Sequence, residues 1–289
     1  HIAATSRGNI TIVNANEIIS NDEAPVTAIR RKKDSSIAIG LKLCKEKKGD
    51  AFVSAGSTGA LMAGGLFIMG RISNIDRPAI AIIVPTKNMP CLLLDVGANS
   101  EVKPKNLVQF AWMGSEYAKV IFNIENPRVG LLNIGVEEEK GTSTVKAAYE
   151  SLKMDSAINF VGNIEARAFF DGIAEVVVCD GFTGNIFLKI IEGFGSFIFD
   201  ELKKQARSKL TYTLGAGLLK PAFKEIKSKF DYSEYGGAMF LGIDGTLIKC
   251  HGSSDRKAIF NGIKAAKIFA NSQIHTKLAQ SLTINPEGE

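Results

Sequence analysis

A short apolar run turns into a Gly-rich polar segment in Val176-Val177-Val178-Cys179-Asp180-Gly181-Phe182-Thr183-Gly184-Asn185. The β-branched residues favour a strand, the glycines favour a loop, and the long amphipathic segment after Asn185 favours a helix. A loop of this kind presents backbone N–H groups and a hydroxyl at a helix N-terminus, where anions bind. The alternative is a loop that only caps the helix, and recurrence of the pattern decides between the two.

The same order of strand, loop and helix recurs along the chain. Strand-like apolar runs lie at residues 10–13, 51–53, 79–84, 91–94, 129–134, 158–161, 176–179 and 246–249. Helical spacing of apolar residues is present over residues 36–47, 107–122, 144–152 and 258–270. This alternation predicts an α/β fold of three layers, with a mostly parallel sheet and helices on both faces.

Size and composition describe one large globular unit. The chain has 289 residues, of which 45% are hydrophobic and 22% are charged, and this composition excludes a disordered chain. We predict a single α/β catalytic unit over residues 1–289. Four cysteines stand singly, which predicts buried, reduced thiols in a cytoplasmic protein. With three histidines in the sequence, we predict no metal site and no cofactor.

The segment from residue 186 to residue 230 departs from the alternation. It is predicted to form a protruding helical hairpin, two long helices with no strand between them, joined by the apolar connection 210–219 between basic stretches. An apolar tip flanked by lysines suits a dimer interface or contact with a membrane surface, and packing in the core is the alternative. No apolar run reaches the roughly 18 residues that a membrane-spanning helix needs.

Small polar residues follow several of the other predicted strands. Ligands in α/β folds bind beyond the carboxyl ends of strands, so these loops predict a common cleft for a small anion such as phosphate. No Ser-His-Asp triad, zinc-protease motif or nucleotide-binding motif is present. Ser253 or Ser254 has the alternative role of capping the helix that follows. The candidate phosphate- or substrate-binding residues are Ser57, Thr58, Asn99, Asn133, Thr183, His251, Ser253 and Ser254.

Taken together, these loops resemble those of the PlsX phosphate acyltransferases. The similarity extends over residues 10–270, in the family's order. The blocks that carry it are Ser54-Ala55-Gly56-Ser57-Thr58-Gly59-Ala60-Leu61, Gly70-Arg71-Ile72, Asp76-Arg77-Pro78-Ala79, Leu93-Leu94-Asp95-Val96-Gly97-Ala98-Asn99, Gly130-Leu131-Leu132-Asn133-Ile134-Gly135, Gly162-Asn163-Ile164-Glu165-Ala166-Arg167, Asp180-Gly181-Phe182-Thr183-Gly184-Asn185, Tyr235-Gly236-Gly237-Ala238 and His251-Gly252-Ser253-Ser254-Asp255.

The resemblance implies transfer of a long-chain acyl group from acyl-acyl carrier protein (acyl-ACP) to inorganic phosphate, which gives acyl phosphate for phospholipid synthesis. It implies a fold similar to those of isocitrate dehydrogenases and phosphate acetyltransferases. The family's catalytic lysine and asparagine fall on Lys140 and Asn185. Because phosphate itself attacks the thioester, the chemistry needs positioning and charge stabilisation rather than a protein nucleophile.

The resemblance also implies a homodimer that associates peripherally with the inner face of the cell membrane, with a glycerol-phosphate acyltransferase as a downstream partner. The membrane contact then falls on Leu210, Leu214, Leu218 and Leu219. The family's opening strand and its Asp-Ala-Met-Gly-Gly-Asp loop are absent from this sequence. We therefore expect further residues upstream of His1.

An acidic carrier protein needs a cationic docking surface. The densest basic run in the chain is Arg30-Arg31-Lys32-Lys33, which we assign to docking of acyl-ACP. The alternative is a solvated helix start. Nucleic-acid binding is disfavoured, because no aromatic residues are interleaved with the basic ones.

Other functions remain open at the level of sequence. The first is a phosphate acetyl- or butyryltransferase that uses coenzyme A thioesters on the same kind of fold. An NAD-dependent decarboxylating dehydrogenase is disfavoured, because no aspartate cluster for a metal and no nucleotide motif is visible. The third alternative function is a membrane-associated scaffold for lipid-synthesis acyltransferases. The polar loops argue against a protein that is only a scaffold.

Overall fold

The computed structural model describes residues 10–230, 235–272, 274–275 and 277–279, and eight strands form one sheet in this part of the chain. The strands are β1 Ala51–Ser54, β2 Ala79–Val84, β3 Cys91–Leu94, β4 Arg128–Asn133, β5 Asn159–Glu165, β6 Val176–Val178, β7 Ala238–Leu241 and β8 Thr246–Lys249. The helices are α1 Pro25–Arg31, α2 Ser36–Lys45, α3 Thr58–Gly64, α4 Pro104–Phe122, α5 Ser143–Met154, α6 Gly181–Ala206, α7 Leu210–Phe230 and α8 Arg256–Ser272. A π-helical turn, Gly65–Met69, extends α3, and a 3₁₀ helix, Ala166–Asp171, follows β5.

The sheet has the order β1-β8-β7-β2-β3-β6-β4-β5 and is mixed. The pairs β1–β8, β3–β6, β4–β6 and β4–β5 are parallel, whereas β7–β8, β2–β7 and β2–β3 are antiparallel. Hence β1, β2 and β8 run in one direction, and the other strands run in the opposite direction. The predicted α/β class with a mostly parallel sheet is confirmed.

Two hydrophobic clusters cover the two faces of the sheet, and the alternation of side chains along β2 shows this directly. Ala79, Ala81 and Ile83 belong to the cluster under α4, α5 and α8. Ile80 and Ile82, like Val84, belong to the other cluster, which lies under α2, α3 and the start of α6. Because successive side chains of a strand point to opposite faces, burial on both sides needs helices above and below the sheet.

Two strand predictions differ from the structure. Residues 10–13 form no strand, and Ile12 is 85% exposed there, because no described strand lies beside this segment to pair with it. Conversely, β7 was not predicted. It is four residues long and begins directly after Gly236 and Gly237, both of which have positive φ, so it offers too short a pattern to recognise.

The predicted connection at residues 210–219 is also wrong, because these residues are helical and begin α7. The turn lies at residues 207–209 instead. Leu210, Leu214 and Leu218 repeat every fourth residue, which is the period of one helix face. Pro221 lies inside α7 rather than after a turn.

Helices α6 and α7 contact each other and leave large apolar side chains in solvent. Gly181 and Gly184, in the first turn, are the buried residues of α6. By length and composition alone, α6 is the one described helix that could cross a membrane. Its most apolar window contains the charged residues Lys189 and Glu192, so it is not an uninterrupted apolar run of the kind that the sequence analysis sought.

Candidate active site

A cleft of about 310 Å³ lies on the face of the sheet between α3 and α6. Ile80 and Ile82 of β2 contribute apolar side chains to it, and residues of α6 form one wall. Asn185 is the first polar residue of that wall. The complete lining is Thr58, Ile80, Ile82, Val96, Gly97, Asn185, Leu188, Lys189, Glu192, Ala238, Lys249 and His251.

The polar loops reach this cleft from two opposite edges of the sheet. Thr58 and His251 follow β1 and β8, whereas Gly97 and Asn185 follow β3 and β6, which run the other way. The loops that line the cleft therefore do not all leave one edge of the sheet. Three antiparallel pairs, β8–β7, β7–β2 and β2–β3, separate β8 from β3 and so reverse the strand direction, and the cleft extends across the sheet face between the two edges.

Asp95 organises the loop after β3. Its carboxylate is fully buried and accepts hydrogen bonds from the main-chain N–H groups of Ile80, Ala98 and Asn99, at 2.8 to 3.0 Å. Burial raises the pKa of the Asp95 carboxyl, and these donors act in the opposite direction. The predicted ligand Asn99 donates its amide to Asp95 and to the carbonyl of Pro78, so its side chain holds the loop in place.

The N-terminus of α6 carries its own anion. The Asp180 carboxylate accepts hydrogen bonds from the Thr183 N–H at 2.8 Å and from the Thr183 hydroxyl at 2.7 Å. This is the capping alternative for the loop, and it commits Thr183, a predicted phosphate ligand, to Asp180. A negative side chain at this place disfavours a second anion bound to the same N–H groups.

The next turn of α6 places Asn185 in the cleft. Its side chain is exposed and lies beside Gly97, where an added Cβ would be 3.6 Å from Asn185 Cγ. Gly181 N–H donates to the carbonyl of Asn99 at 2.7 Å, so the start of α6 is fixed to the Asp95 loop. The position of the Asn185 amide thus depends on the buried carboxylate beneath it.

Lys140 lies at the same edge of the sheet as Asn185, but it is not part of the cleft lining. It is exposed in the loop between β4 and α5. Asn133 donates its side-chain amide to the Lys140 carbonyl at 3.0 Å and accepts the Ile134 N–H at 2.8 Å. The structure therefore uses Asn133 to shape the loop that presents Lys140.

At the opposite edge, Ser57 and Thr58 begin α3. The Ser57 hydroxyl caps the helix by accepting the Ala60 N–H at 3.4 Å, whereas Thr58 is exposed and lines the cleft. Of these two predicted ligands, the structure thus brings Thr58 into the cleft with Asn185.

The loop after β8 brings His251 to the same cleft. His251 Nδ1 lies 2.6 Å from Ser253 Oγ and accepts the Ser253 N–H at 3.2 Å. Among the described residues, Ser254 Oγ is buried with no hydrogen-bond partner. The predicted capping role of these serines is wrong, because the Asp255 carboxylate accepts the Ala258 N–H and caps α8.

In the predicted docking run at residues 30–33, one cation is held by an ion pair and others are exposed. Lys32 pairs with Glu23 at 2.8 Å and donates to the carbonyl of Ile18 at 2.6 Å. The Arg30 guanidinium lies 4.9 Å from the centre of the Phe67 ring. Arg30, Arg31 and Lys33 are exposed, so a protein partner would find cations at these three positions, although Arg30 also lies against Phe67.

Sequence reasoning missed Lys249, which lines the cleft as the last residue of β8. The available signal was a charged residue two positions after Leu247, on the same side of a buried strand. Asp95 was recognised as part of a loop but not as its organising group. Its signal was an acidic residue directly after four buried apolar ones.

A family model described as "Fatty acid synthesis protein" matches residues 1–277 of the chain. The chain belongs to this family. It is 54% identical to the phosphate acyltransferase of Clostridium tetani, over 94% of this chain and 81% of that protein. It is also 54% identical to the phosphate acyltransferase of Caldicellulosiruptor saccharolyticus, over 96% of this chain and 83% of that protein. The family predicted from the loop motifs is confirmed.

Solved structures of low sequence identity share the fold. The EutD phosphotransacetylase from Staphylococcus aureus superposes with a TM-score of 0.57 at 15% identity, over 92% of this chain and 82% of that chain. A branched-chain phosphotransacylase from Enterococcus faecalis gives a TM-score of 0.56 at 13% identity, over 82% of this chain and 79% of that chain. These likenesses bear on the predicted architecture alone, which they support.

Proposed function

We propose that this chain transfers a fatty acyl group from acyl-ACP to inorganic phosphate. The observation that carries the proposal is family membership over residues 1–277, together with relatives at 54% identity that are phosphate acyltransferases. The structure adds a cleft in which an amide, a hydroxyl and cations surround apolar side chains. A long acyl thioester and a phosphate need these two kinds of surface side by side.

The reaction requires no covalent enzyme intermediate. A phosphate oxygen attacks the thioester carbonyl carbon, and a tetrahedral oxyanion forms. The C–S bond then breaks, the new C–O bond remains in acyl phosphate, and the thiolate of the carrier takes up the proton that hydrogen phosphate gives up. Donors aimed at the developing oxyanion lower the barrier most.

Asn185 and Lys140 supply these donors in our proposal. Asn185 lies in the cleft with its amide free to turn toward a carbonyl oxygen, because its side chain is exposed. Lys140 stands at the same edge on the loop that Asn133 holds. In this proposal the lysine neutralises charge on phosphate or on the oxyanion.

The surfaces of the molecule support a proposal for its partners and its location. We assign docking of the acidic carrier protein to the basic run at residues 30–33, of which Arg30, Arg31 and Lys33 are exposed. The exposed apolar side chains of α6 and α7 suit a homodimer interface and peripheral contact with the inner face of the cell membrane. A membrane site would let a glycerol-phosphate acyltransferase receive the acyl phosphate directly.

The test is an assay of the purified protein with palmitoyl-ACP and inorganic phosphate, which follows free carrier thiol and acyl phosphate. We expect turnover that requires phosphate, and a loss of about 10²–10³-fold in kcat in Asn185→Ala and in Lys140→Ala, as for other oxyanion donors. Lys146→Ala, an exposed lysine on α5, is the matched control and should retain activity.

Two results would contradict the proposal. Turnover of acetyl- or butyryl-coenzyme A with none of palmitoyl-ACP would assign the chain to the short-chain enzymes. A loss of only a few fold in Lys140→Ala would remove this lysine from the catalytic role while leaving the activity itself in place.

A further inference from the structure

Lys249 is a cation that the fold places inside the cleft. It ends β8, where its neighbours in the sheet are Ser54 of β1 and Ala238 of β7. Leu247, two residues earlier, belongs to the same hydrophobic cluster as Ile80 and Ile82, so Lys249 points to the face on which the cleft lies. Its side chain is half-buried against these apolar residues.

The other charges of the cleft cancel. Lys189 and Glu192 line the same wall and form an ion pair of 2.8 Å with each other. Within the described ranges, no carboxylate lies within 4.0 Å of the Lys249 ammonium. Lys249 therefore leaves the lining with one positive charge that no acidic side chain compensates.

The ammonium of Lys249 has N–H donors that can still bind a ligand. It donates to the main-chain carbonyl of Cys250, and an ammonium has three N–H donors. Burial lowers the pKa of Lys249, because the charged ammonium loses part of its hydration. A half-buried cation without a counter-charge is an unfavourable arrangement for stability alone, and a bound anion would relieve it.

We propose that Lys249, together with the hydroxyl of Thr58, binds the phosphate oxygens in this cleft, opposite the Asn185 amide. This inference rests on the proposed function for its substrate, because inorganic phosphate is the anion that the reaction consumes. The acyl chain then lies toward Leu188 and Val96, and the thioester carbonyl lies between the two polar ends. The site explains why loops from both edges of the sheet meet here.

The first experiment separates binding of phosphate from binding of the acyl donor. Lys249→Met removes the charge and keeps the length of the side chain. We expect the KM for phosphate to rise at least tenfold, with the KM for palmitoyl-ACP unchanged within twofold, and Lys249→Arg should recover part of the affinity for phosphate.

Lys45→Met is the matched control. Lys45 also donates to a main-chain carbonyl, that of Met69 at 2.6 Å, but it lies outside the cleft. Its KM for phosphate should stay that of the unmodified protein. Thermal melting of each variant identifies loss of fold, and Lys249→Arg keeps the test decisive if Lys249→Met does not fold.

The second experiment needs no turnover. Acetic anhydride labels accessible lysines, and mass spectrometry reads the label at Lys249 and Lys45 with increasing inorganic phosphate at constant ionic strength. We expect phosphate to protect Lys249 at least threefold and to leave Lys45 unprotected.

The two experiments fail in different ways. Protection of Lys249 without transfer to phosphate would support the anion site and contradict the proposed function. Transfer with an unchanged KM for phosphate in Lys249→Met, and with no protection by phosphate, would overturn the site and leave the function standing.

Discussion

Gly184 of α6 packs against the main-chain carbonyl of Asp95 so closely that a Cβ at position 184 would lie 1.9 Å from that oxygen. The glycine permits the first turn of α6 to rest on the loop after β3. This contact positions the next residue, Asn185, in the cleft. The Gly-rich loop has the pattern of an anion-binding loop, but its glycine at position 184 allows the backbone of α6 to approach the backbone of the loop after β3.

Gly184→Ala should therefore destabilise the protein and disturb Asn185. We expect the free energy of unfolding to fall by about 1–3 kcal/mol, as for other overpacked sites, and acyl transfer to fall with it. Urea denaturation and the acyl-ACP assay measure both effects.

Gly193→Ala is the matched control in the same helix. Among the described residues, apart from its two chain neighbours and the backbone of its own helix, none has an atom within 4 Å of a Cβ at this exposed position. Alanine should therefore raise stability by about 0.5–1 kcal/mol through its helix propensity. Equal stability of the two variants would contradict the close contact at Gly184.

The ion pair of Glu175 with Arg128 predicts a pH dependence of stability. Glu175 is 6% exposed and accepts the Arg128 main-chain N–H at 2.7 Å and its Nε–H at 3.1 Å. Burial opposes ionisation of this carboxyl, but the hydrogen bonds and charge of Arg128 prevail and hold the pKa of Glu175 below 4.5. A depressed carboxyl pKa stabilises the folded state above the unfolded pKa, and this contribution is lost as the pH falls through the folded pKa.

Glu175→Gln should accordingly be less stable than the unmodified protein at pH 7, by about 1–3 kcal/mol. The difference should shrink as the pH falls from the ordinary range of a glutamate pKa through the lower pKa of Glu175 in the folded state. Urea titrations from pH 7 to pH 3 measure it. Glu138→Gln, which removes the exposed partner of Lys153, should change little at any pH, and a constant difference for Glu175→Gln would refute the linkage.

The leucines of α7 predict membrane contact. Leu214 and Leu218 are 65% and 85% exposed and lie on one face of the helix. Burial of one such side chain in lipid contributes about 1.5–3 kcal/mol, so Leu214→Lys with Leu218→Lys should lower the partition coefficient onto anionic phospholipid vesicles at least tenfold. Co-sedimentation with vesicles measures this, while activity on soluble acyl-ACP should persist.

Met154→Lys is the control for the leucines. Met154 is 79% exposed at the end of α5, away from both long helices, and its replacement should leave vesicle binding unchanged. If it weakens binding as much as the leucine variants do, added charge alone accounts for the effect and the membrane face is assigned wrongly.

The exposed cations Arg31, at the end of α1, and Lys33, just after it, predict how the carrier protein docks. Charge reversal in Arg31→Glu with Lys33→Glu should raise the KM for palmitoyl-ACP by about tenfold and flatten its dependence on salt, since charges at the rim of an interface act on association. The KM for phosphate should not change. The double variant Lys264→Glu with Lys267→Glu carries the same change of charge on α8. An equal effect there would point to net charge rather than to a docking surface.

The sequence by itself determined most of the local structure and the family. Seven of the eight strands and the four predicted helices form where the apolar spacing places them, within a few residues at their ends. The loop blocks from Ser54 to Asp255 identify the family without any contact between them. Local patterns suffice here, because backbone preference and burial of one face depend on near neighbours in the chain.

The tertiary structure alone decided which strands run together and which loops meet. Three antiparallel pairings, of β7 with β8, of β7 with β2 and of β2 with β3, reverse the strand direction between β8 and β3. No local pattern encodes a pairing between residues 162 positions apart, such as Ala79 and Leu241. That reversal brings Lys249 and Thr58 from one edge and Asn185 from the other into a single cleft. The motifs named the residues of the site, but the pairing of distant strands decides which of them share it, because hydrogen bonds between strands are set by the whole chain.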